Sequence, residues 1–527
     1  MENISSYNPQ LVIVEPNNKI RTFTLSHRQT IIGRAMPDSK SDIKIVSPIV
    51  SAHHGMFTKF NDDYYYNNNC ANKNKTYINK KEIPRTNEVL SPAIKLKDGD
   101  IISIGSSADP NCTYLIFSTT TNKKFEWKSV NLKNKAVISI GRSSDNDICI
   151  PNVIVSRSHA QIKNLHGAAV LTDLKSHNGT ILNGKIVASE KLNNEDKILI
   201  GSSILYFING AVFYSIPKKE QQVITNANKP PVNKGKKPKN TVISKPPKKQ
   251  HHNTNGIEIE IRDISRMVKC KKGTGINGSG QKYILEHVSL NIHAGELVAI
   301  CGGSGAGKTT FMNCINGFEP ATSGQVLING ADLYKNYASL KNNIGYVPQQ
   351  DIVHDNLTLK AMLTYTAKLR LQSDVTKQEI DDTVSYVLKM VDLEKEKDTF
   401  IKKLSGGQKK RASIAVELVS NPALFFLDEP TSGLDPEAET HLMHNLRRLS
   451  NDEGKTVIVI THTLQNIDLF DKIVFLAPGG KLCFYGSPEN AKKFFGVDNL
   501  ADAYEKISQK TEYYVTKYEK EKGGIAS

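Results

Sequence analysis

Residues 302–309 read GGSGAGKT and fit the spacing G-x-x-x-x-G-K-[ST]. Glycines at 302, 303, 305 and 307 allow a tight turn whose N–H groups point inward. With Ser304, Ala306 and Thr310 they outline a cradle suited to phosphates. Lys308 is placed to reach β- and γ-phosphates, and the Thr309 hydroxyl is placed to bind Mg²⁺. Farther along, 424–429 (LFFLDE) is an apolar run closed by two carboxylates. Asp428, at the end of that run, suits Mg²⁺. Glu429 is left to polarise an attacking water as general base. The implied chemistry is hydrolysis of a bound nucleoside triphosphate.

These side chains need elements to hold them. Residues 297–301 (LVAIC) are a short apolar run and predict a buried strand before the glycine turn. Residues 309–311 open a helix whose N-terminus adds partial positive charge where phosphates would sit. A second strand is predicted over 423–427 and a third over 457–460, shortly before His462.

Residues 404–411 (LSGGQKKR) resemble the signature of ATP-binding cassette (ABC) ATPases. Gln349, in GYVPQQD, is similar to that family's Q-loop glutamine, a ligand of Mg²⁺ and a catalytic residue. Residues 432–435 (SGLD) resemble the D-loop, with Asp435, and His462 resembles the switch histidine that senses the γ-phosphate. The resemblance covers roughly 257–496. It implies ATP and Mg²⁺ as cofactors and a head-to-tail pair of cassettes. In such a pair Leu404, Ser405, Gly406, Gly407 and Gln408 contact the ATP held by the partner's phosphate loop. One cassette cannot complete a site, so a homodimer or a related partner chain is expected. Met267 or Val268 falls where many cassettes place an adenine-stacking aromatic residue, and Tyr283 is the nearest aromatic upstream. GYVPQQDIVHDNLTL, LFFLDEPTSGLDP and GKLCFYGSPENAKKFF resemble the ABCG subfamily and its bacterial ABC-2-type relatives. Those proteins usually carry a six-helix membrane domain after the cassette, so a membrane subunit on another chain is expected.

A spanning helix needs about 20 mostly apolar residues. The best candidate, 198–216, is interrupted by Gly201, Ser202, Ser203, Asn209 and Gly210, and reads as two strands joined at Asn209-Gly210. No signal-peptide pattern opens the chain. The expectation is a cytoplasmic chain, held at the cytoplasmic face of a membrane by its partner. Seven cysteines without paired metal spacing indicate reduced, intracellular thiols.

The chain has 527 residues and a net charge of +16. Much of that charge lies in 217–255, where ten lysines face one glutamate among six prolines. Such a stretch buries too little apolar surface to fold and reads as a tether. It contains no Phe, Trp or Tyr, so nucleic acid is not an expected partner. Its lysines could instead add attraction to anionic lipid.

The first 216 residues repeat. IIGR, SAHH, NKTYIN and DGDIISI in the first copy match ISIGR, SRSH, NGTILNG and DKILI in the second. Short alternating apolar runs between Gly, Asn and Asp turns predict two all-β domains. The order GR, SxxH, NGTxxNG resembles the forkhead-associated (FHA) domain, whose loops read phosphothreonine on a partner. Arg142 can pair with phosphate through its fork, Ser156 can donate a hydroxyl bond, and Arg157 can add a second cation. Asn178 can hold the ligand backbone, with His177 beside it, while His159 reads as a brace for the loop. Arg34, Ser51 and Asn74 occupy the matching places in the first copy. There Ala52 replaces the second cation and Lys75 stands where Gly is usual, which would strain a left-handed residue.

The expected fold class is multidomain: two all-β FHA-like sandwiches, then an α/β P-loop ABC ATPase domain with a helical subdomain near 357–405. The expected boundaries are 1–118, 119–216, the tether 217–255, the ATPase domain 256–498 and a charged tail 499–527. The expected function is ATP hydrolysis coupled to transport through a separate transmembrane subunit, with FHA domains binding a phosphothreonine protein. The alternative is a soluble, phosphorylation-dependent dimerising switch that transports nothing.

Overall fold

The computed structural model describes residues 9–16, 18–60, 63–68, 74–84, 93–107, 109–119, 125–165, 167–217, 256–270, 280–350 and 352–523. The lysine-rich tether, apart from Pro217, lies outside the described residues.

The N-terminal part holds four β-sheets, two to each sandwich. In both sandwiches a six-stranded sheet faces a five-stranded one. The first core is built from Ile32, Phe57, Tyr66, Ile102 and Leu115, the second from Ile140, Ile162, Leu171, Ile198 and Val212. These are the inward positions of alternating strands. The two sandwiches pack against each other through Val12, Tyr114, Tyr206 and Phe213. In the first, Gln10–Val14 pairs with Thr113–Ser118; in the second, the equivalent position beside Ser203–Ile208 is taken by Ala211–Pro217. The hairpin at Asn209-Gly210 forms as expected, with φ of 50° and 73°, the pair that a tight two-residue turn requires. A further turn at Gly201-Ser202 separates Asp196–Ile200 from Ser203–Ile208, so three strands occupy the stretch where two were expected.

The C-terminal part is built on a ten-stranded sheet. Five of its strands form a parallel block in the order Lys472–Ala477, Leu297–Gly302, Thr456–Ile460, Leu424–Asp428, Ile344–Val347. Four of them are fully buried runs rich in Val, Ile, Leu and Phe, as a sheet covered on both faces demands, while Ile344–Val347, at the edge, is half-buried. The remainder, including Ile259–Lys269 and Gln281–Ile292, is antiparallel except where Glu286 meets Lys481 in parallel, and it continues from one side.

Helices α1 (Lys308–Ile315) and α2 (Tyr337–Leu340) precede the helical subdomain. That subdomain contains α3 (Leu359–Arg370) and α4 (Lys377–Met390), and it leads into α5 (Gly406–Leu418). Helix α6 (Pro436–Asn451) follows, capped by Asp435 with Pro at its first position. Helix α7 (Pro488–Phe495) precedes α8 (Ala501–Gln509) and α9 (Thr511–Gly523). Thr376 with Glu379, and Ser405 with Gln408, form reciprocal capping boxes on α4 and α5.

The segment expected as a charged tail differs from that reading. It folds into α8 and α9 and buries Leu500, Ala503, Ile507, Tyr514 and Val515 in the same core as the parallel sheet. Leu500, Ala503 and Ile507 recur three and four positions apart, so the charges of α8 occupy its opposite face. Among the described residues, no helix is long and apolar enough to cross a membrane.

Candidate functional site

The parallel strands all end on one side, and their C-terminal ends carry the candidate residues. Leu297–Gly302 runs into the glycine turn, Leu424–Asp428 ends at Asp428 and Glu429, and Ile344–Val347 leads to Gln349. Thr456–Ile460 is followed two residues later by His462. This is where open parallel sheets place their ligands.

Gly302 packs so tightly that a Cβ would stand 2.5 Å from the Leu476 carbonyl oxygen. Gly307 caps α1 at φ 85°, where a Cβ would lie 2.7 Å from the Ile284 oxygen. Gly303 and Gly305, by contrast, face open space. Gly303, Ser304 and Gly305 are exposed, Ala306 is buried, and Lys308, Thr309 and Thr310 open α1. The Lys308 ammonium is buried and donates to the Gly302 and Gly303 carbonyls at 3.0 and 3.1 Å. Burial pulls its pKa below the ordinary lysine value, against the charges of Glu429, Cys301 and Asp428. Asp428 is buried with its pKa raised by that burial, while a hydrogen bond from Thr309 and the Lys308 charge oppose the rise. A buried cation held by carbonyls alone, above an open cradle of N–H groups, fits a polyanionic ligand. Thr309 and Asp428, close enough for the hydroxyl to favour the ionised carboxylate, are a donor set that fits Mg²⁺.

Glu429 stands at the centre of the strand ends. Its Oε2 accepts from Gln349 Nε2 at 2.9 Å, and its Oε1 lies 2.5 Å from His462 Nε2. Its φ is 46°, left-handed for a residue with a Cβ, which costs roughly 1–3 kcal/mol. Its N–H is fixed to the Ile460 carbonyl, so the neighbouring strand holds the conformation. Ser405 caps α5, leaving it and Gly406 exposed at the helix N-terminus; Leu404 is buried beneath them. Met267 and Val268 are half-buried on Ile259–Lys269, and Met267 pairs across the sheet with Tyr283.

Two residues absent from the sequence reading join these parts. Lys410 on α5 is buried and donates to the Gln349 carbonyl at 2.7 Å, so the signature helix touches the Q-loop backbone. Glu439 on α6 accepts from Thr463 Oγ1, next to His462. Lys410 lies inside LSGGQKKR, but a lysine there gives no sign of its burial.

In the second sandwich, His159 is fully buried. Its Nδ1 accepts from the Ser156 N–H at 3.2 Å, and its Nε2 lies 3.2 Å from the Gly179 oxygen. Burial lowers its pKa, so the ring stays neutral and braces two loops. Gly179 has a φ of 73°. Asn178 Nδ2 donates to the Ile154 carbonyl at 2.6 Å, and Ser156 Oγ accepts from the His177 N–H. Asn178 therefore spends its amide on the loop rather than leaving it for a ligand backbone. Arg142 is fixed by Nε to the Val155 carbonyl at 3.1 Å, and Arg157 is exposed beside it.

The first sandwich repeats much of this. His54 Nδ1 accepts from the Ser51 N–H, and Asn74 Nδ2 donates to the Ile49 carbonyl at 2.7 Å. Among the described residues, Arg34 Nη1 reaches the Pro48 carbonyl, at 3.4 Å. Lys75 is not left-handed: the strain expected from Lys in place of Gly is avoided by a different loop path, and its ammonium pairs with Glu82.

Residues 285–432 match the ABC transporter family, and residues 30–105 and 138–201 match the FHA domain. This chain is an ABC-type ATPase domain preceded by two FHA domains. It is 36% identical over 371 residues to the ABC transporter ATP-binding/permease protein Rv1747 of Mycobacterium tuberculosis, covering 70% of this chain and 38% of that one. ABC transporter G family member 28 of Arabidopsis thaliana is 34% identical over 45% of this chain and 21% of its own length. The broad-specificity transporter ABCG2 of Bos taurus is 35% identical over 46% of this chain and 38% of its own. The chain thus spans well under half the length of these curated relatives. A solved dimeric post-hydrolysis cassette, MJ0796 bound to ADP and Pi, aligns at 28% identity and TM-score 0.39 over 44% of this chain and 98% of that one.

The cassette and the second FHA domain are in direct contact. Ile181 and Leu199 of that FHA domain join the buried cluster of Ile257, Ile259 and Val326 in the cassette. Asn342, shortly before the Q-loop, donates to Asn178 Oδ1 at 2.6 Å.

Proposed function

We propose that this chain is the ATP-hydrolysing part of an ABC-type transporter whose membrane-spanning part lies outside these 527 residues. The observation that carries the reading is the meeting of Lys308, Asp428, Glu429, Gln349 and His462 at the ends of one parallel sheet. ATP is held by the glycine cradle and Lys308, and Mg²⁺ by Thr309, Asp428 and Gln349. The bound metal supplies charge neutralisation at the phosphates. Glu429 takes the proton of the attacking water, with His462 and Gln349 orienting its carboxylate. Ser405, Gly406, Gly407 and Gln408, with Leu404 packed beneath, complete the site of a second cassette across a head-to-tail interface that includes Asp435. The similarity to transporters supports coupling to transport, and the face around Gln349 and α3 is where a membrane partner would dock.

The test is purification of the full chain from native membranes. Recovery with a polytopic membrane protein is the expected result. Recovery only with cytosolic phosphoproteins overturns transport in favour of a dimerising switch.

The second FHA domain is the reader of phosphothreonine in this proposal, through Arg142, Ser156, Arg157 and His177, with Asn178 shaping the loop that carries them. Arg34, Ser51 and Asn74 are the weaker counterpart, since Ala52 stands where the second copy has Arg157. Arg142→Ala is expected to abolish binding of a degenerate phosphothreonine peptide pool in calorimetry. Unchanged affinity would make the domain a docking scaffold.

A further inference from the structure

The phosphate-reading face of the second FHA domain is covered, and the groups that cover it are carboxylates. Arg142 Nη2 donates to Asp374 Oδ1 at 2.8 Å, and Arg142 Nη1 pairs with Glu379 Oε1. The Arg157 N–H donates to Asp374 Oδ2 at 3.1 Å, and its guanidinium lies 3.5 Å from Glu379 Oε2. The Arg142 side chain is left only 8% exposed. Beside these pairs, Gln372 Nε2 donates to the Ile154 carbonyl at 2.6 Å, the same oxygen that Asn178 uses.

Asp374, Thr376 and Glu379 lie at the start of α4, in the helical subdomain of the cassette. Thr376 caps α4, and the capping box holds the Glu379 carboxylate in place: its Oε2 accepts from the Thr376 N–H at 2.8 Å and from Thr376 Oγ1 at 2.9 Å. Burial pushes the Glu379 pKa up, but hydrogen bonds from Thr376 and the charges of Arg142 and Arg157 bring it below the ordinary value, so it is ionised. Two fixed carboxylates thus present four oxygens and two negative charges to two arginines. That is close to what a phosphate presents, nearly two charges and strong acceptor oxygens.

We propose that Asp374 and Glu379 of the cassette occupy the phosphate-reading face of the second FHA domain in cis, so that a phosphothreonine partner binds only by displacing the helical subdomain. The proposal rests on the reading of this domain as a phosphothreonine binder. It makes the two events compete: whatever positions α4 controls access to Arg142, and a bound phosphopeptide frees α4. The apolar contact of Ile181 and Leu199 with the cassette keeps the domains together while the charged edge opens.

The test uses the full chain and D374N/E379Q. Gln at position 379 can still complete the capping box, so α4 is kept while both charges are removed. A degenerate phosphothreonine peptide pool and its unphosphorylated counterpart are titrated into both forms, and amide exchange is followed over 154–158 and 372–380. The variant is expected to bind the phosphorylated pool about 10- to 100-fold more tightly than the wild type, the usual range of such coupling. Both segments are expected to lose protection. Equal affinity in the two forms overturns the proposal and leaves the phosphothreonine reading standing. If neither form binds the pool, the phosphothreonine reading fails. Exchange then decides the docking: lost protection in the variant supports the charged contact, and unchanged protection overturns it.

Discussion

Glu429→Gln is expected to lower steady-state ATP hydrolysis by about 10²- to 10⁴-fold, the range that a positioned general base supplies. Nucleotide affinity is expected to stay within a few-fold of the wild type. The substitution keeps the shape of the side chain and its hydrogen bond with Gln349, but the amide cannot take up a proton. The cradle, Lys308, Thr309 and Asp428 are untouched, and these are the residues proposed to hold the phosphates and the metal. The left-handed φ at 429 is a backbone cost that Gln inherits unchanged. Phosphate release and nucleotide retention, measured side by side, separate the two effects. Normal turnover in the variant would remove Glu429 from the role of base. Loss of binding together with turnover would show that the carboxylate holds the nucleotide instead.

The nucleotide site was legible in the sequence because its parts are local. Gly302 to Thr309 form one turn and one helix start, and Asp428 and Glu429 close one apolar run. Each requirement is met by neighbours in the chain. Gln349 and His462 enter only through the resemblance, and their reach to the two oxygens of Glu429 has no sequence signal, since three separate strands must first align to bring them together. Lys410 was missed for the same reason. A lysine on a helix is ordinarily solvated, and its burial here depends on where the Q-loop backbone passes. The helices α8 and α9 were hidden by composition: Lys, Glu and Tyr dominate, and the few apolar residues matter through their spacing alone. In the FHA domains the motif residues were visible, but their partners were not. Arg142 was read as waiting for a phosphate, whereas 232 residues separate it from the Asp374 that meets it. No sequence pattern links a β-sandwich loop to the first turn of a distant helix, although the acidic character of 374–379 is plain once the two are together. Lys75 is a milder case. Its departure from Gly signalled an altered loop, and the loop did take a path without positive φ.

Mixing two inactive variants is expected to restore activity, because in the proposed dimer the signature acts on the partner's nucleotide. Gly406→Asp is the suitable second variant. Gly406 is the first residue of α5, has no positive φ, and faces open space where a Cβ would stand. Asp is favourable at a helix N-terminus, so the free chain folds. In a head-to-tail dimer, however, the new carboxylate faces the γ-phosphate, and like charges repel at close range. Gly406→Asp alone and Glu429→Gln alone are both expected to hydrolyse little ATP. In a mixed dimer one site receives both defects. The other pairs an intact Glu429 from the Gly406→Asp chain with an intact signature from the Glu429→Gln chain. Random pairing at equal concentrations makes half the dimers mixed, so recovery up to about a quarter of wild-type activity is expected. Recovery should follow the square of total chain concentration at low concentration, since it requires association. No recovery, in mixtures shown by native mass spectrometry to contain mixed dimers, would place the signature in its own chain's site or require both sites to fire together. A tethered pair that carries Glu429→Gln and Gly406→Asp on the same half separates those two outcomes. An own-chain signature then leaves the other half's site intact and activity returns, whereas coupled trans sites, each with one defect, stay silent.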